Sequence, residues 1–339
     1  HSIEKQTAWN VDCFTTVSDI TANECRELLD KEVDVVLPNG FEDDFVPKGN
    51  TFTSKRKRAR AELLRVANCL TDDTFDDDTL IVSTSGRYEF RNKGIDVFID
   101  AMNRLRFDER LNKKVVAFID VPAWVGNARE DLAERLKAKA NTTFDTPLHW
   151  PMLTHWLHNM DQDKALSMMR SLDFANNKQD KVKIIFVPCY LNGNDGIFNM
   201  PYYDLILGND LCVYPSYYEP WGYTPLEAVA FSIPCITTDL AGFGIWAQHV
   251  LADEKAENSL ENGVKVVHRT DYNYHEVADE IKDAVTNYAL LAKTQVTKAR
   301  EKAKNLSKKA LWKKFIAYYE DAYDMALRKA EERKKQEKK

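Results

Sequence analysis

Residues 211–244 read LCVYPSYYEPWGYTPLEAVAFSIPCITTDLAGFG, and no other stretch restricts the possible folds as tightly. Residues 211–214 form a short apolar, partly β-branched run that Pro215 stops, the pattern of a strand buried on both faces of a parallel sheet. The loop 216–223 therefore begins at a strand's carboxyl end, where open α/β sheets bind their ligands. Thr224 then reads as an N-cap, with Pro225 at the first helical position and Glu227 three residues after the cap, a capping box. A helix starting there aims free N–H groups and its positive dipole end back at the loop, which suits a phosphate. Glu219 is expected in the loop and Glu227 just inside the helix.

A second strand-to-helix loop lies upstream. Residues 79–84 read as a strand, SGRYEFRNKG follows, and a helix is expected over 95–105. Arg87 and Lys93 flank this loop, and Gly86 and Gly94 give its backbone room. Residues 114–121 and 183–188 read as further core strands, and Pro201, Tyr202, Tyr203 and Asp204 open a helix.

Composition removes several function classes. A chain of 339 residues exceeds one small domain and can bury a large core. Its formal net charge of −6 argues against nucleic acid as the main partner, since phosphate binding wants a basic face. No apolar run is long enough to span a membrane and none resembles a signal peptide. Starting at His1 without Met, the chain is expected to be a cut piece. The six cysteines lack CxxC or CxxH spacing, as expected for reduced, buried thiols of a cytoplasmic protein rather than disulfides or zinc ligands.

Residues 1–38 supply only two short βα units, too few for a domain, with Ser18 and Thr21 as helix-start chemistry. Pro38-Asn39-Gly40 marks a boundary. The main domain is expected over 39–305 and a crossover helix with a charged tail over 306–339. A basic helix over 52–70 carries Lys55, Arg56, Lys57, Arg58 and Arg60, read as a solvated face rather than a nucleic-acid surface. The acidic loop with Asp72, Asp73, Asp76, Asp77 and Asp78 reads as a solvent-facing turn, because it lacks the glycine and glutamate of a calcium loop. His149, His155 and His158 are close in sequence, but no carboxylate or cysteine completes a ligand set, so no metal is expected. Residues 311–327 are amphipathic and aromatic-rich.

The run YPSYYEPWGYTPLEAVAFSIPCITTDLAGFG, with glutamates in E-x7-E spacing, and the segment GRYEFRNKG together resemble the glycogen (starch) synthase family of the animal and fungal type, glycosyltransferase family 3. The likeness covers nearly the whole chain and is weakest over 122–165. It implies an α/β chain of the GT-B fold, with a Rossmann-like C-terminal domain and the end of an N-terminal acceptor domain, as in a bacterial, N-terminally truncated member. It implies a retaining glucosyltransferase that adds glucose from UDP-glucose or ADP-glucose to an α-1,4-glucan such as glycogen, without a cofactor or metal.

By the same resemblance Arg87 and Lys93 hold the donor pyrophosphate, where two fixed cations can take the place of a metal as charge builds on the leaving group. Glu219 and the backbone N–H groups of Trp221 and Gly222 would grip the glucose, those of Tyr223 and Thr224 the diphosphate, and Glu227 the ribose. Tyr202 would stack on the uracil. Lys5 stands where the family has an arginine on the acceptor side, and Asp210 near a family histidine. A homo-oligomer is implied, although the insertion that carries subunit contacts in eukaryotic members is shorter here. The arginine-rich helix that binds glucose 6-phosphate in those members reads AREKAKN, so that switch is expected to be absent or weakened. Two other readings stay open: a nucleotide-sugar-binding lobe without catalysis, and another retaining GT-B transferase. A phosphorylase would need a Schiff-base lysine for pyridoxal phosphate, and no motif here calls for one.

Overall fold

A computed structural model describes residues 2–140 and 142–337. Among the described residues the strands are β1 (Thr15–Thr16), β2 (Val35–Val36), β3 (Leu80–Ser85), β4 (Val115–Asp120), β5 (Val125–Ala128), β6 (His155–Leu157), β7 (Val182–Val187), β8 (Leu211–Val213), β9 (Cys235–Thr238) and β10 (Val264–Val267). β1 and β2 pair in parallel, and β5 and β6 antiparallel. The other six form one parallel sheet in the order β10-β9-β8-β3-β4-β7.

Every residue of β3, β4 and β7 is buried, which is why these strands read as continuous apolar runs. Side-chain alternation splits the core into two layers. Val82, Val115, Ala117 and Ile119 pack with the helices Ile95–Arg106, Lys164–Ser171 and Tyr274–Ala289. Ile81, Val116, Phe118 and Cys212 face Gly49–Leu70, Tyr223–Ala230 and Gly242–Asp253. Helices on both faces of a parallel sheet make a doubly wound fold. Taken in chain order, the six strands lie 6-5-4-1-2-3, the Rossmann arrangement read from its far edge. The order reverses between β3 and β8, so the ligand crevice belongs between the loops that leave those two strands.

The N-terminal units pack against the far end of the chain. Ser18 caps the helix Asp19–Leu29 through the Thr21 N–H at 3.4 Å. The last helix, Trp312–Gln336, crosses back over them: Lys329 meets Asp34 at 2.5 Å and Arg333 pairs with Asp12. Phe315 is buried on that helix, whereas Ile316, Tyr318, Tyr323 and Leu327 stay exposed.

Two surface expectations need correction. The basic helix is not simply a solvated face: Arg56 and Arg60 clamp Asp210 at 2.7 and 2.6 Å, and Lys55 meets Asp204 at 2.7 Å. Asp73 is not a solvent-facing turn residue either. It is 4% exposed and holds Lys114 at 2.6 Å and the fully buried Lys183 at 3.1 Å, since a lysine inside a core strand requires a counter-ion.

The irregular segment after β4 organises around Arg129. Its guanidinium, fully buried, lies 4.7 Å from the Trp156 ring and donates to the carbonyls of His149, Trp150 and Leu153. One planar cation thus satisfies carbonyls that no strand or helix could reach.

Candidate active site

The β3 and β8 loops touch. The Tyr217 N–H donates to the Asn92 carbonyl at 2.8 Å. Gly94, with φ +66°, packs directly on Pro215: a Cβ there would stand 2.6 Å from the Pro215 carbonyl carbon and closer still to its oxygen. Arg269, just past β10, locks the junction by donating to the same Pro215 carbonyl, with its guanidinium 5.5 Å from the Tyr217 ring. Thr238 at the end of β9 donates to the Ser216 carbonyl at 2.7 Å. Residues from three other strand ends, those of β3, β9 and β10, therefore hold the β8 loop in one shape.

Within this junction Lys93 and Glu219 form an ion pair with both side chains mostly buried. Burial pushes the Lys93 ammonium below its usual range, and nearby Arg87 adds to the shift. Arg87 itself reaches outward, its side chain 76% exposed and 3.2 Å from Glu89. One cation is thus fixed in the crevice, and the other lies at the surface paired with Glu89. The Glu219 backbone is pinned as well, because its N–H donates to the Leu240 carbonyl and its own carbonyl accepts from Gly242.

The helix after the loop starts two residues earlier than its capping pattern suggests. Tyr223–Ala230 is the helix and Gly222 is its N-cap, at φ +110°, a conformation that side chains rarely adopt. Thr224 is therefore not the cap. Its N–H and that of Tyr223 belong to the first turn, where no helical carbonyl can accept them. Pro225 brings no N–H, so the start is a glycine turn followed by an unsatisfied amide pair, a phosphate-type nest.

Freed from capping, Glu227 accepts a hydrogen bond of 2.6 Å from the Tyr203 hydroxyl. Burial raises its pKa, and that hydrogen bond partly offsets the rise. Trp221 contributes backbone rather than side chain: it is 4% exposed, its ring meeting Phe243, Trp246 and Phe315. Tyr202 is half-buried against the core, with its hydroxyl 2.6 Å from Ser85 Oγ at the end of β3. Beside it, Asp120 ends β4, and burial pushes its carboxyl up to about 7.

Lys5 is not brought to the crevice. It pairs with Asp30 at the C-terminal end of the helix Asp19–Leu29, while Ser18 at the other end abuts Gly242. An 11-residue helix separates those ends by about 16 Å. The N-terminal units meet the loop instead through Glu24, which accepts from the Tyr218 hydroxyl at 2.6 Å.

The three histidines diverge. His149 faces Trp150 and His158 faces Trp124. His155 does gain the cysteine and carboxylate that spacing had not supplied: ligand atoms of His155, Cys189 and Asp195 lie within 4.8 Å of one another. The cluster is satisfied internally, however. The His155 nitrogens lie 2.9 Å from Thr154 Oγ1 and 2.8 Å from the Asp195 carbonyl, and the Asp195 carboxylate accepts N–H groups from Ile197, Phe198 and Asn199.

Sequence reasoning missed Arg269, Glu24 and Tyr203. Arg269 was findable, because it follows a parallel strand's carboxyl end in the motif VVHRT. For the other two, no pattern in the sequence pointed to a partner.

Comparison with known proteins agrees with this architecture. The family model described as glycogen synthase matches residues 1–144 and 138–339. A glycogen [starch] synthase of Neurospora crassa is 29% identical, over 97% of this chain and 54% of its own length. The liver glycogen [starch] synthase of Rattus norvegicus is also 29% identical, over 94% of this chain and 51% of its own. The chain thus spans about half the length of the curated relatives it matches. Among solved structures, the catalytic domain of starch synthase IV from Arabidopsis thaliana, bound to ADP and acarbose, superposes with TM-score 0.54 at 13% identity, over 95% of this chain and 57% of its own. Sucrose-phosphate synthase from Thermosynechococcus elongatus gives 0.50 at 18%, over 96% and 61%. The fold is that of the GT-B glycosyltransferases, with their Rossmann-like domain as its main body.

Proposed function

Because the chain belongs to the glycogen synthase family, we propose that it is the donor-binding part of a retaining glucosyltransferase that extends an α-1,4-glucan from a nucleotide-diphosphate glucose, UDP-glucose. One observation carries this reading: fixed Lys93, outward Arg87 and the open amides at Tyr223 and Thr224 converge at the switch point of the sheet.

In this reading the diphosphate lies against Arg87, Lys93 and the two amides, which stabilise it as it leaves. Its arrival draws the Lys93 ammonium from Glu219, whose carboxylate then accepts from the glucose hydroxyls beside the amides of Trp221 and Gly222. Glu227 takes the ribose hydroxyls and the Tyr202 ring the uracil. The acceptor hydroxyl attacks from the face the diphosphate leaves and gives its proton to the departing phosphate oxygen, so the anomeric configuration is kept. Glu219 and Glu227 do not act as a glycosidase pair, since one of them serves the ribose. The acceptor is glycogen or a related glucan, the setting cytoplasmic, and the assembled protein a homo-oligomer. Lys5, paired with Asp30, takes no part in donor binding.

The sugar-phosphate switch is absent in this reading. Arg300 turns inward, 3.4 Å from the Asn209 carbonyl, and Arg56 and Arg60 are occupied by Asp210.

Calorimetric titration with UDP and with ADP, on the wild-type chain and on Arg87→Ala and Glu227→Ala, tests the proposal. UDP binding that weakens in both variants is the expected result, with the preferred nucleotide naming the donor. A folded chain that binds neither nucleotide would refute it.

A further inference from the structure

Tyr203 is held by rings on several sides. Phe45 stacks on it with centroids 5.0 Å apart and planes 19° from parallel, Phe231 lies at 5.6 Å, and Tyr202 at 5.8 Å. Phe231 also meets Phe45 edge-on at 5.4 Å. The tyrosine is still 40% exposed, so the stack fixes its ring while its hydroxyl edge faces outward. That hydroxyl donates to Glu227 Oε1 at 2.6 Å. A glutamate side chain has several rotatable bonds, and pinning one oxygen removes most of their freedom before a ligand arrives.

We propose that Tyr203 is the positioning residue of the donor site: its hydroxyl holds one oxygen of Glu227 so that the other is presented to the vicinal hydroxyls of the ribose. This rests on the reading of Glu227 given above. It makes the stack Phe45–Tyr203–Glu227 part of nucleotide recognition, acting through the Glu227 carboxylate. The same contact favours the ionised form of the carboxylate. Burial raises the Glu227 pKa and the Tyr203 hydroxyl opposes that rise; the other titratable groups near it are the phenols of Tyr202 and Tyr223, both themselves shifted upward. No cation shares in the effect.

The test uses the whole chain with three probes, UDP, 2′-deoxy-UDP and inorganic pyrophosphate, on wild type, Tyr203→Phe, Glu227→Ala and the double variant. Phenylalanine keeps the stack and deletes only the hydroxyl. Tyr203→Phe is expected to weaken UDP about tenfold, to shrink the preference for UDP over its 2′-deoxy form, and to leave pyrophosphate unchanged. Its UDP affinity should also begin to fall at a higher pH on the acid side than that of wild type. In the Glu227→Ala background the same change should cost nothing further, because a residue acting only through Glu227 has nothing left to position. UDP affinity unchanged in Tyr203→Phe but lost in Glu227→Ala would overturn the positioning role and leave the ribose reading intact. UDP affinity unchanged in Glu227→Ala would overturn the ribose reading and the proposal with it. An equal loss for UDP and pyrophosphate in Tyr203→Phe would show a general disturbance of the lobe and also overturn the proposal.

Discussion

Gly94→Ala should separate the two loops of the crevice, and the structure provides its own control. Two costs apply at Gly94. An alanine at φ +66° carries left-handed strain of about 1–2 kcal/mol. Its Cβ would also sit 2.6 Å from a backbone carbonyl carbon, an overlap that costs about 1–3 kcal/mol in packed surroundings. Losing glycine's freedom in the unfolded chain returns about 0.4–1 kcal/mol. The net loss is about 1–5 kcal/mol. Gly49 has nearly the same backbone, φ +56°, but nothing within 4 Å of its missing Cβ, so Gly49→Ala keeps the strain without the overlap and costs about 1 kcal/mol or less. Urea unfolding of the two variants should give midpoints separated by this difference, at equal slopes. Because relief of the overlap moves Pro215 away from Lys93, Gly94→Ala should also weaken UDP more than tenfold while Gly49→Ala binds normally. Equal midpoints and wild-type UDP affinity in Gly94→Ala would refute the argument that close loop contact builds the site.

Three further outcomes are expected. Asp210→Ala leaves Arg56 and Arg60 without their shared counter-ion and should cost about 3–5 kcal/mol in urea unfolding. Burial pushes the Asp210 carboxyl up, but Arg60, Arg56 and the Ile81 N–H outweigh it and hold the pKa low; its share of stability is therefore present above the ordinary carboxylate range and lost as pH falls through the lowered value, and Asp210→Asn should show a smaller acid loss than wild type. Asp120 behaves oppositely: its folded pKa of about 7 means that stability is complete below the ordinary carboxylate range and declines as pH rises towards 7, by a few kcal/mol at about 1.4 kcal/mol per unit. Asp120→Asn should flatten that decline and be the more stable protein at pH 8 by thermal melting. In thiol titration Cys13 and Cys25 should react first, while Cys69, Cys189, Cys212 and Cys235 wait for unfolding.

The strands were legible because burial on both faces leaves an unbroken apolar run, and each predicted core strand lies within a residue or two of its place. The placement of Arg87, Lys93 and Glu219 beside the crevice was legible for a similar reason: each follows a strand whose carboxyl end fixes where it must be. What failed was long-range pairing. Thr224 and Glu227 fit a capping pattern, but Gly222 starts the helix earlier, and Glu227 is drawn to a tyrosine 24 positions away. Local spacing cannot encode that contact. Arg56 and Arg60 looked like solvated charges because Asp210 lies 150 residues or more beyond them, and Asp73 looked like a surface turn because its partner Lys183 is also far away in sequence.

The chain passes between the N-terminal units and the large sheet twice, and the two passages run side by side. Phe41 donates to the Ala310 carbonyl at 3.2 Å, and Trp312 donates to the Phe41 carbonyl at 3.1 Å. Gly40 lies so close that a Cβ would meet the Trp312 ring at 2.6 Å. Rotation of the two bodies about these crossings would leave both in place but exchange contacts such as Ser18 on Gly242 and Tyr218 on Glu24. Such a swing carries Glu24 towards or away from Tyr218. The joint that links the two bodies would then also set how firmly the donor loop is closed.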